Sequence, residues 1–164
     1  MKKSMRTTKV SRCVKCGESD LLIVSHVFRA TVAGVPFERK LKVQKCSTCG
    51  EIYLRAGSLG DFELSAALAF ARAGVQRPAA LKFMRKAAGL RATDLGGLFD
   101  LTPEHLSRIE NGKVPPDKRT VALLAALLED KAAGTTRTID QLHALDRPRR
   151  LKGKVRLDIA DHGS

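Results

Sequence analysis

Two hydrophobic rhythms divide this chain of 164 residues. In the first third, apolar positions come in short alternating runs. Residues 21–27 and 37–43 read as strands, with a hairpin around Gly34, Val35 and Pro36 flanked by Phe28 and Phe37; residues 52–54 form a short third strand. After Gly57-Ser58-Leu59-Gly60 the chain becomes rich in Ala, Leu and Arg and the rhythm turns helical. Residues 61–73 carry Leu64 and Leu68, with Phe62 and Phe70 on overlapping apolar rows, and Gly74 ends them. Pro78 opens a second helix over 78–88, where Leu81 and Met84 share one side. Residues 92–99 make a short third helix through Leu95, Leu98 and Phe99.

Asp100-Leu101 then turns, Thr102 caps a fourth helix and Pro103 takes its first position. Leu106 and Ile109 face inward to meet Leu95 and Leu98, and Asn111-Gly112 stops the helix. Pro115-Pro116 blocks continuation, and Asp117 caps a further helix carrying Val121, Leu124, Leu127 and Leu128. Beyond it, 131–137 reads as a loop and 139–145 as one or two helical turns. After Pro148, residues 151–159 read as a strand through Val155, Leu157 and Ile159. The expected fold is two small domains: an N-terminal α+β domain with a short antiparallel sheet, and a C-terminal all-α bundle.

A hydrophobic content of 43% is enough for a core, and an aromatic content of 4% makes that core mostly Leu, Ala and Val. The net charge of +13 points to a polyanionic partner, nucleic acid before an anionic membrane. No run approaches the roughly 18 apolar residues of a spanning helix. Residues 1–15 are basic without an apolar stretch behind them, so they do not read as a signal peptide, and the expected address is the cytoplasm. Lys2, Lys3, Arg6, Lys9, Arg12 and Lys15 make the outer face of the first part basic. Arg77, Lys82, Arg85, Lys86 and Arg91 lie in a stretch with no acidic residue from Ser65 to Thr93, a candidate phosphate-contacting stripe.

The four cysteines form two pairs, Cys13-x-x-Cys16 and Cys46-x-x-Cys49, each followed by a glycine, Gly17 and Gly50. Two such knuckles can offer four thiolates to one tetrahedral zinc ion at about 2.3 Å each, and Gly permits the sharp turn around it. With four sulfurs there is no open position for water, so the expected zinc is structural. The alternatives are two disulfides, disfavoured in a reducing compartment, four unrelated thiols, and a thioredoxin-like motif, which lacks its βαβ context. A domain of about 50 residues buries little, so the metal supplies much of its folding free energy.

Two short helices at this spacing, the second with a small polar outer face, match a helix-turn-helix whose second helix enters the major groove. Arg108 is the expected base reader, because guanidinium pairs bidentately with guanine O6 and N7. Glu104 accepts from cytosine N4 or favours the helix N-terminus. Thr102, Ser107, Asn111 and Lys113 are expected on phosphates, with His105 the weaker candidate beside them. A generic helical bundle is the alternative. Enzyme chemistry finds no support: HExxH, GxxxxGK[ST] and a His-x-Glu before the cysteine pairs are all missing, and His26, His105, His143 and His162 are scattered.

The string Thr102-Pro-Glu-His-Leu-Ser-Arg-Ile-Glu-Asn-Gly112 resembles the recognition helix of XRE-family (Cro-type) regulators, and 81–90 looks like that family's first helix. The order of cysteine module, helical connector and helix-turn-helix, over roughly residues 10–130, is similar to MqsA-type antitoxins. The resemblance implies a homodimeric repressor joined through its helical half and bound to a palindromic operator in double-stranded DNA. It further implies a zinc half that neutralises a cognate ribonuclease toxin, and DNA contacts on Thr102, Pro103, Glu104, Ser107, Arg108 and Asn111. A solitary regulator without a toxin is the other reading. Three positions depart from the pattern: Ala92 replaces a frequent glutamine, Gly96 a small alanine and Asp100 the turn glycine, which Asp tolerates. The expected boundaries are 10–57 for the zinc-binding domain, 58–76 for the connector, 77–130 for the helix-turn-helix and 131–164 for a basic tail. That tail, with Arg147, Arg149, Arg150, Lys152, Lys154 and Arg156, suits a DNA-contacting arm, a solubilising segment or a toxin-binding segment alike.

Overall fold

Alternating residues in the first third build a three-stranded antiparallel sheet in the computed structural model, which describes residues 11–148 and Arg150. Strands β1 (Leu21–Val32) and β2 (Val35–Cys46) form one long hairpin, and β3 (Ile52–Leu54) adds to β2 through Val43 to Lys45. The turn is Ala33-Gly34, not Gly34-Val35-Pro36 as expected, and both strands run further than their sequence signal. Its φ angles of 47° at Ala33 and 80° at Gly34 belong to the mirror-image two-residue turn whose twist suits a hairpin. Such a turn makes Val32 and Val35 the hydrogen-bonded closing pair. Pro36, opposite Thr31, therefore lacks its N–H on the outward side, where β3 does not reach. A proline that reads as a loop signal is thus tolerated inside a strand.

Register gives the sheet two different faces. Phe28, Ala30, Phe37, Arg39, Leu41 and Val43 share one; Ile23, Lys40, Lys42, Gln44, Cys46 and Tyr53 share the other. Helix α1 (Ser58–Arg72) lies on the first face. Phe28 meets Phe62 edge-on at 5.0 Å, and Phe37 meets Phe70 likewise at 5.1 Å. Edge-to-face pairs of this kind add about 0.5–1.5 kcal/mol beyond area burial. The Arg39 guanidinium donates to the Asp61 carbonyl and the Ser65 hydroxyl, clamping the hairpin to the first turns of α1.

The far side of α1 enters the helical bundle. Phe70 reaches Phe83 of α2 (Pro78–Ala88) at 6.2 Å, and Arg72 forms a two-bond fork with Glu129 of α5 (Lys118–Ala133). Residues 58–76, expected as a connector, therefore carry part of the helical core. Of the four apolar positions expected on overlapping rows, Phe62 and Phe70 are buried and Leu64 and Leu68 are half-buried. The core joins Ala67 and Phe70 to Leu81, Met84, Leu95, Leu106, Ile109, Leu124 and Leu128. Helix α3 (Ala92–Phe99) and helix α4 (Pro103–Glu110) match the expected residues.

Two of the sequence expectations are corrected here. The loop expected over 131–137 belongs partly to helix: α5 continues to Ala133, Gly134 caps it, and α6 (Arg137–Asp146) follows. Lys131 donates to the Ala87 carbonyl at 2.5 Å, and the Asp130 carboxylate accepts from Thr135 Oγ1 and Thr138 N, so those polar residues build a corner. Arg85 is the second. Expected in a phosphate-contacting stripe, it is buried against Glu110 of α4, their side chains 9% and 7% exposed. Arg85 Nε donates to Glu110 Oε1 at 2.5 Å, Nη2 donates to Oε2 at 3.1 Å, and Nη1 donates to the Leu90 carbonyl at 2.7 Å. The expected strand at 151–159, Lys2, Lys3, Arg6, Lys9, Arg149 and the basic residues after Arg150 lie outside the described residues. Among the described residues no helix is long and apolar enough to cross a membrane.

The buried fork predicts a specific weakness. Glu110→Ala leaves a guanidinium without its partner in the core, and breaking such a pair costs about 3–5 kcal/mol. The expected outcome in thermal or denaturant unfolding is a loss of that order, whereas Glu129→Ala, on an exposed pair, leaves the transition nearly unchanged.

Candidate metal centre and nucleic-acid interface

The two cysteine pairs sit at the end of the sheet that α1 leaves open, and they are built alike. In each knuckle the first cysteine's carbonyl accepts from the glycine four residues on: Gly17 N to Cys13 O at 2.8 Å, Gly50 N to Cys46 O at 3.1 Å. Each first cysteine also donates its own N–H one residue further, to Glu18 O at 2.7 Å and to Glu51 O at 2.9 Å. Gly17 at φ 77° and Gly50 at φ 73° take the left-handed conformation these turns require. β2 delivers Cys46 at its last residue, and the Lys15–Glu51 ion pair, at 3.5 Å, links the two knuckles.

All four sulfurs lie within 4.8 Å of one another. Across the knuckles Cys13 and Cys49 are 3.4 Å apart, and Cys16 and Cys46 are 3.6 Å apart. A disulfide needs about 2.05 Å, so the pairing alternative is set aside and the cysteines are free. Four sulfurs about 2.3 Å from a tetrahedral centre stand about 3.8 Å from each other, close to the spacing found. The cluster is able to coordinate a metal ion, and an all-thiolate donor set suits zinc.

Sequence reasoning missed one neighbour of this cluster. Tyr53 on β3 points its hydroxyl at the first knuckle, where it accepts from Val14 N at 2.9 Å and stands 3.2 Å from Cys13 Sγ. The cue was present in the register: Tyr53 pairs with Gln44, two residues before Cys46 on the same face. The Tyr53 hydrogen bond is the main cause that lowers the Cys13 thiol to about 6. Cys16 is pushed up to about 12: the Glu18 N–H favours its thiolate, but burial and the three neighbouring sulfurs outweigh it. Cys49 is raised in the same way, burial with Cys13 and Cys46 outweighing the Glu51 N–H. The metal-free cluster therefore keeps protons that a metal ion must displace.

The second site is the α3–turn–α4 unit. The Asp94 carboxylate accepts from the Arg91 backbone N–H at 3.0 Å at the start of α3, and the Arg91 guanidinium, which also donates to it, holds Asp94 down to about 2. Arg91, another residue of the expected stripe, is thus engaged with Asp94. Asp100 takes the turn at φ 54°, in place of a glycine. Gly96 lets the turn approach closely: a Cβ there would lie 2.6 Å from the Leu101 carbonyl oxygen. Thr102 Oγ1 accepts from His105 N at 3.2 Å, the cap expected from sequence. α4 ends with Lys113 N donating to Arg108 O and Gly112 N to Ile109 O, with Gly112 at φ 73°.

This frame makes α4 two-sided. Leu106 and Ile109 are buried with Leu95. Thr102, Pro103, Glu104, Ser107, Arg108, Asn111 and Lys113 are exposed, and His105 is half-buried. Asn111 spends its amide nitrogen on its own helix, donating to Ser107 O at 2.8 Å and Ser107 Oγ at 3.2 Å. Arg77, Lys82 and Lys86 of the expected stripe remain exposed on α2 and just before it.

Both geometries carry expected outcomes. Elemental analysis finds one divalent metal ion per chain, and Cys46→Ser loses it. Because bound protons must leave, metal affinity falls as the pH is lowered through and below neutrality, measurable by competition with a chromophoric chelator. Separately, Gly96→Ala drives a methyl group into a backbone carbonyl, and its melting temperature falls by the equivalent of about 1–3 kcal/mol despite the better helix propensity of alanine.

A family model described as a helix-turn-helix domain matches residues 79–130, from the start of α2 to the later turns of α5. No curated protein matches the chain. Residues 79–130 thus match a helix-turn-helix domain, the N-terminal part holds a cysteine cluster able to coordinate a metal ion, and the combination supports a DNA-binding regulatory protein.

Proposed function

We propose that this chain is a sequence-specific repressor of transcription that binds a palindromic operator in double-stranded DNA as a homodimer, with a structural zinc ion held by Cys13, Cys16, Cys46 and Cys49. The observation that carries the reading is the division of α4: Leu106 and Ile109 enter the core while Glu104, Ser107 and Arg108 face solvent, in a chain of net charge +13. A helix of this size fits the major groove. Arg108 then reads a guanine through O6 and N7, and Glu104 a cytosine N4. Thr102, Ser107 and Lys113 hold phosphates and set the register, while Pro103 packs against the backbone at the helix start. Asn111, with its amide nitrogen bound to Ser107, offers its oxygen, and His105 contributes chiefly through the cap. Two copies place their α4 helices about 34 Å apart, one turn of the duplex.

The reading extends to an antitoxin of a type II toxin–antitoxin pair, represing its own operon and holding a ribonuclease toxin. Its support is the resemblance to MqsA-type proteins, together with a sheet whose second face leaves Ile23, Lys40 and Lys42 exposed and whose β1 has no strand beyond it among the described residues. The expectation is a neighbouring gene for a small ribonuclease whose product forms a defined complex with this chain. A locus without one leaves a solitary regulator.

The DNA contacts are tested by two substitutions with different signatures. Arg108→Ala costs about 1–3 kcal/mol on the operator and relaxes preference at one base pair, with little change on scrambled DNA. Lys113→Ala weakens both duplexes alike and lowers the slope of log K against log salt by about 1. If Arg108→Ala binds the operator as tightly as the parent at equal salt, Arg108 is not the base reader.

A further inference from the structure

Tyr53 is the single tyrosine of a chain that has no tryptophan, and its hydroxyl stands at the cysteine cluster. The phenol oxygen accepts the Val14 N–H, which leaves its own proton free to point toward Cys13 Sγ, 3.2 Å away. The two knuckles share the same turns at their first cysteines, and each second cysteine receives the N–H two residues on, from Glu18 or Glu51; the next N–H differs, Ser47 donating to the Asp20 carbonyl at 3.2 Å where Val14 donates to Tyr53. Tyr53 breaks that symmetry. It reaches across from β3 to the N-terminal knuckle, which is joined to the sheet by the short link from Gly17 to β1, whereas Cys46 is the last residue of β2 and is fixed by the strand itself.

We propose that Tyr53 is a positioning residue of the metal centre: it donates to the Cys13 thiolate, orients that sulfur for the ion and ties the N-terminal knuckle to the sheet. The proposal rests on the reading of the four cysteines as a metal site. Groups that hydrogen-bond to a metal ligand from outside the coordination sphere set its orientation and its donor strength, and their loss typically costs 10- to 100-fold in affinity. Tyr53→Phe keeps the ring and removes only the hydroxyl, the donor to Cys13 and the acceptor of the Val14 N–H. Val14 is 85% exposed, so its N–H turns to water without a buried group being orphaned. The arrangement also makes the protein's tyrosine emission a report from the metal site alone.

The test is a Co2+ titration of the full chain, metal-free at the start, for the parent, Tyr53→Phe and Leu54→Thr, the last a control on the same strand but the opposite face. The parent and Leu54→Thr are expected to give the intense visible bands of tetrahedral thiolate-bound Co2+. Tyr53→Phe is expected to bind 10- to 100-fold more weakly, with its sulfur-to-metal charge-transfer band at lower energy, because a thiolate without its hydrogen bond donates charge more readily. Tyrosine emission of the parent is expected to change over the same titration, a measurement that needs no variant to fold. Equal affinity and an identical charge-transfer band in Tyr53→Phe, or an emission indifferent to metal, overturns the role of Tyr53. A parent that gives no tetrahedral thiolate spectrum overturns instead the metal site on which the role depends.

Discussion

The placement of α4 depends on a largely buried ion pair. Arg85 leaves α2 from among Leu81, Met84 and Ala87 and meets Glu110 at the last residue of α4, while its third bond holds the Leu90 carbonyl that begins the link to α3. The pair does little for net stability, since both ions lose their hydration. What it supplies is direction: a forked guanidinium accepts one carboxylate geometry, so the helix carrying Arg108 has one rotation and one tilt relative to α2. Gly96, Asp100 and Thr102 then fix the other end of α4 through the close turn and the cap. A short helix of eight residues has little stability of its own, and these constraints at both ends replace it.

The two halves of the chain solve the problem of small size differently. The helical half closes a Leu-, Met- and Phe-based core. The sheet has a core on one side only, shared with α1, and at the cysteine end Leu22, Ile52 and Leu54 stay exposed. Cross-linking by a metal ion is the natural supplement where apolar burial runs out. α1 joins the two solutions, with Phe62 and Phe70 taking the hairpin and Ala67, Phe70 and Arg72 taking the bundle.

Features governed by local rules were legible in the sequence. Cysteine spacing foretold the cluster, and Thr102, Pro103, Asp117 and Gly112 foretold helix ends that the structure carries at those residues. The exposed set on α4 followed from the three-residue spacing of Leu106 and Ile109. Features governed by tertiary partners were not legible. Arg85 looks like any basic surface residue until Glu110 arrives from 25 positions away. Pro36 looks like a loop because its tolerance depends on which edge lacks a neighbour. Lys131 looks polar and loop-like because its acceptor, the Ala87 carbonyl, belongs to another element. Tyr53 lay in a recognised strand, but its reach to Val14 and Cys13 depends on how the first knuckle folds back.

The central claim is that the outward face of α4 reads a particular DNA sequence, beyond what charge alone provides. The direct measurement is a binding titration of the metal-loaded chain on the DNA upstream of its own gene, against a scrambled duplex of equal length at the same near-physiological salt. Charge guarantees some affinity for both. A preference of about a thousandfold or more for the upstream sequence is expected. Equal affinity for the two duplexes would contradict it.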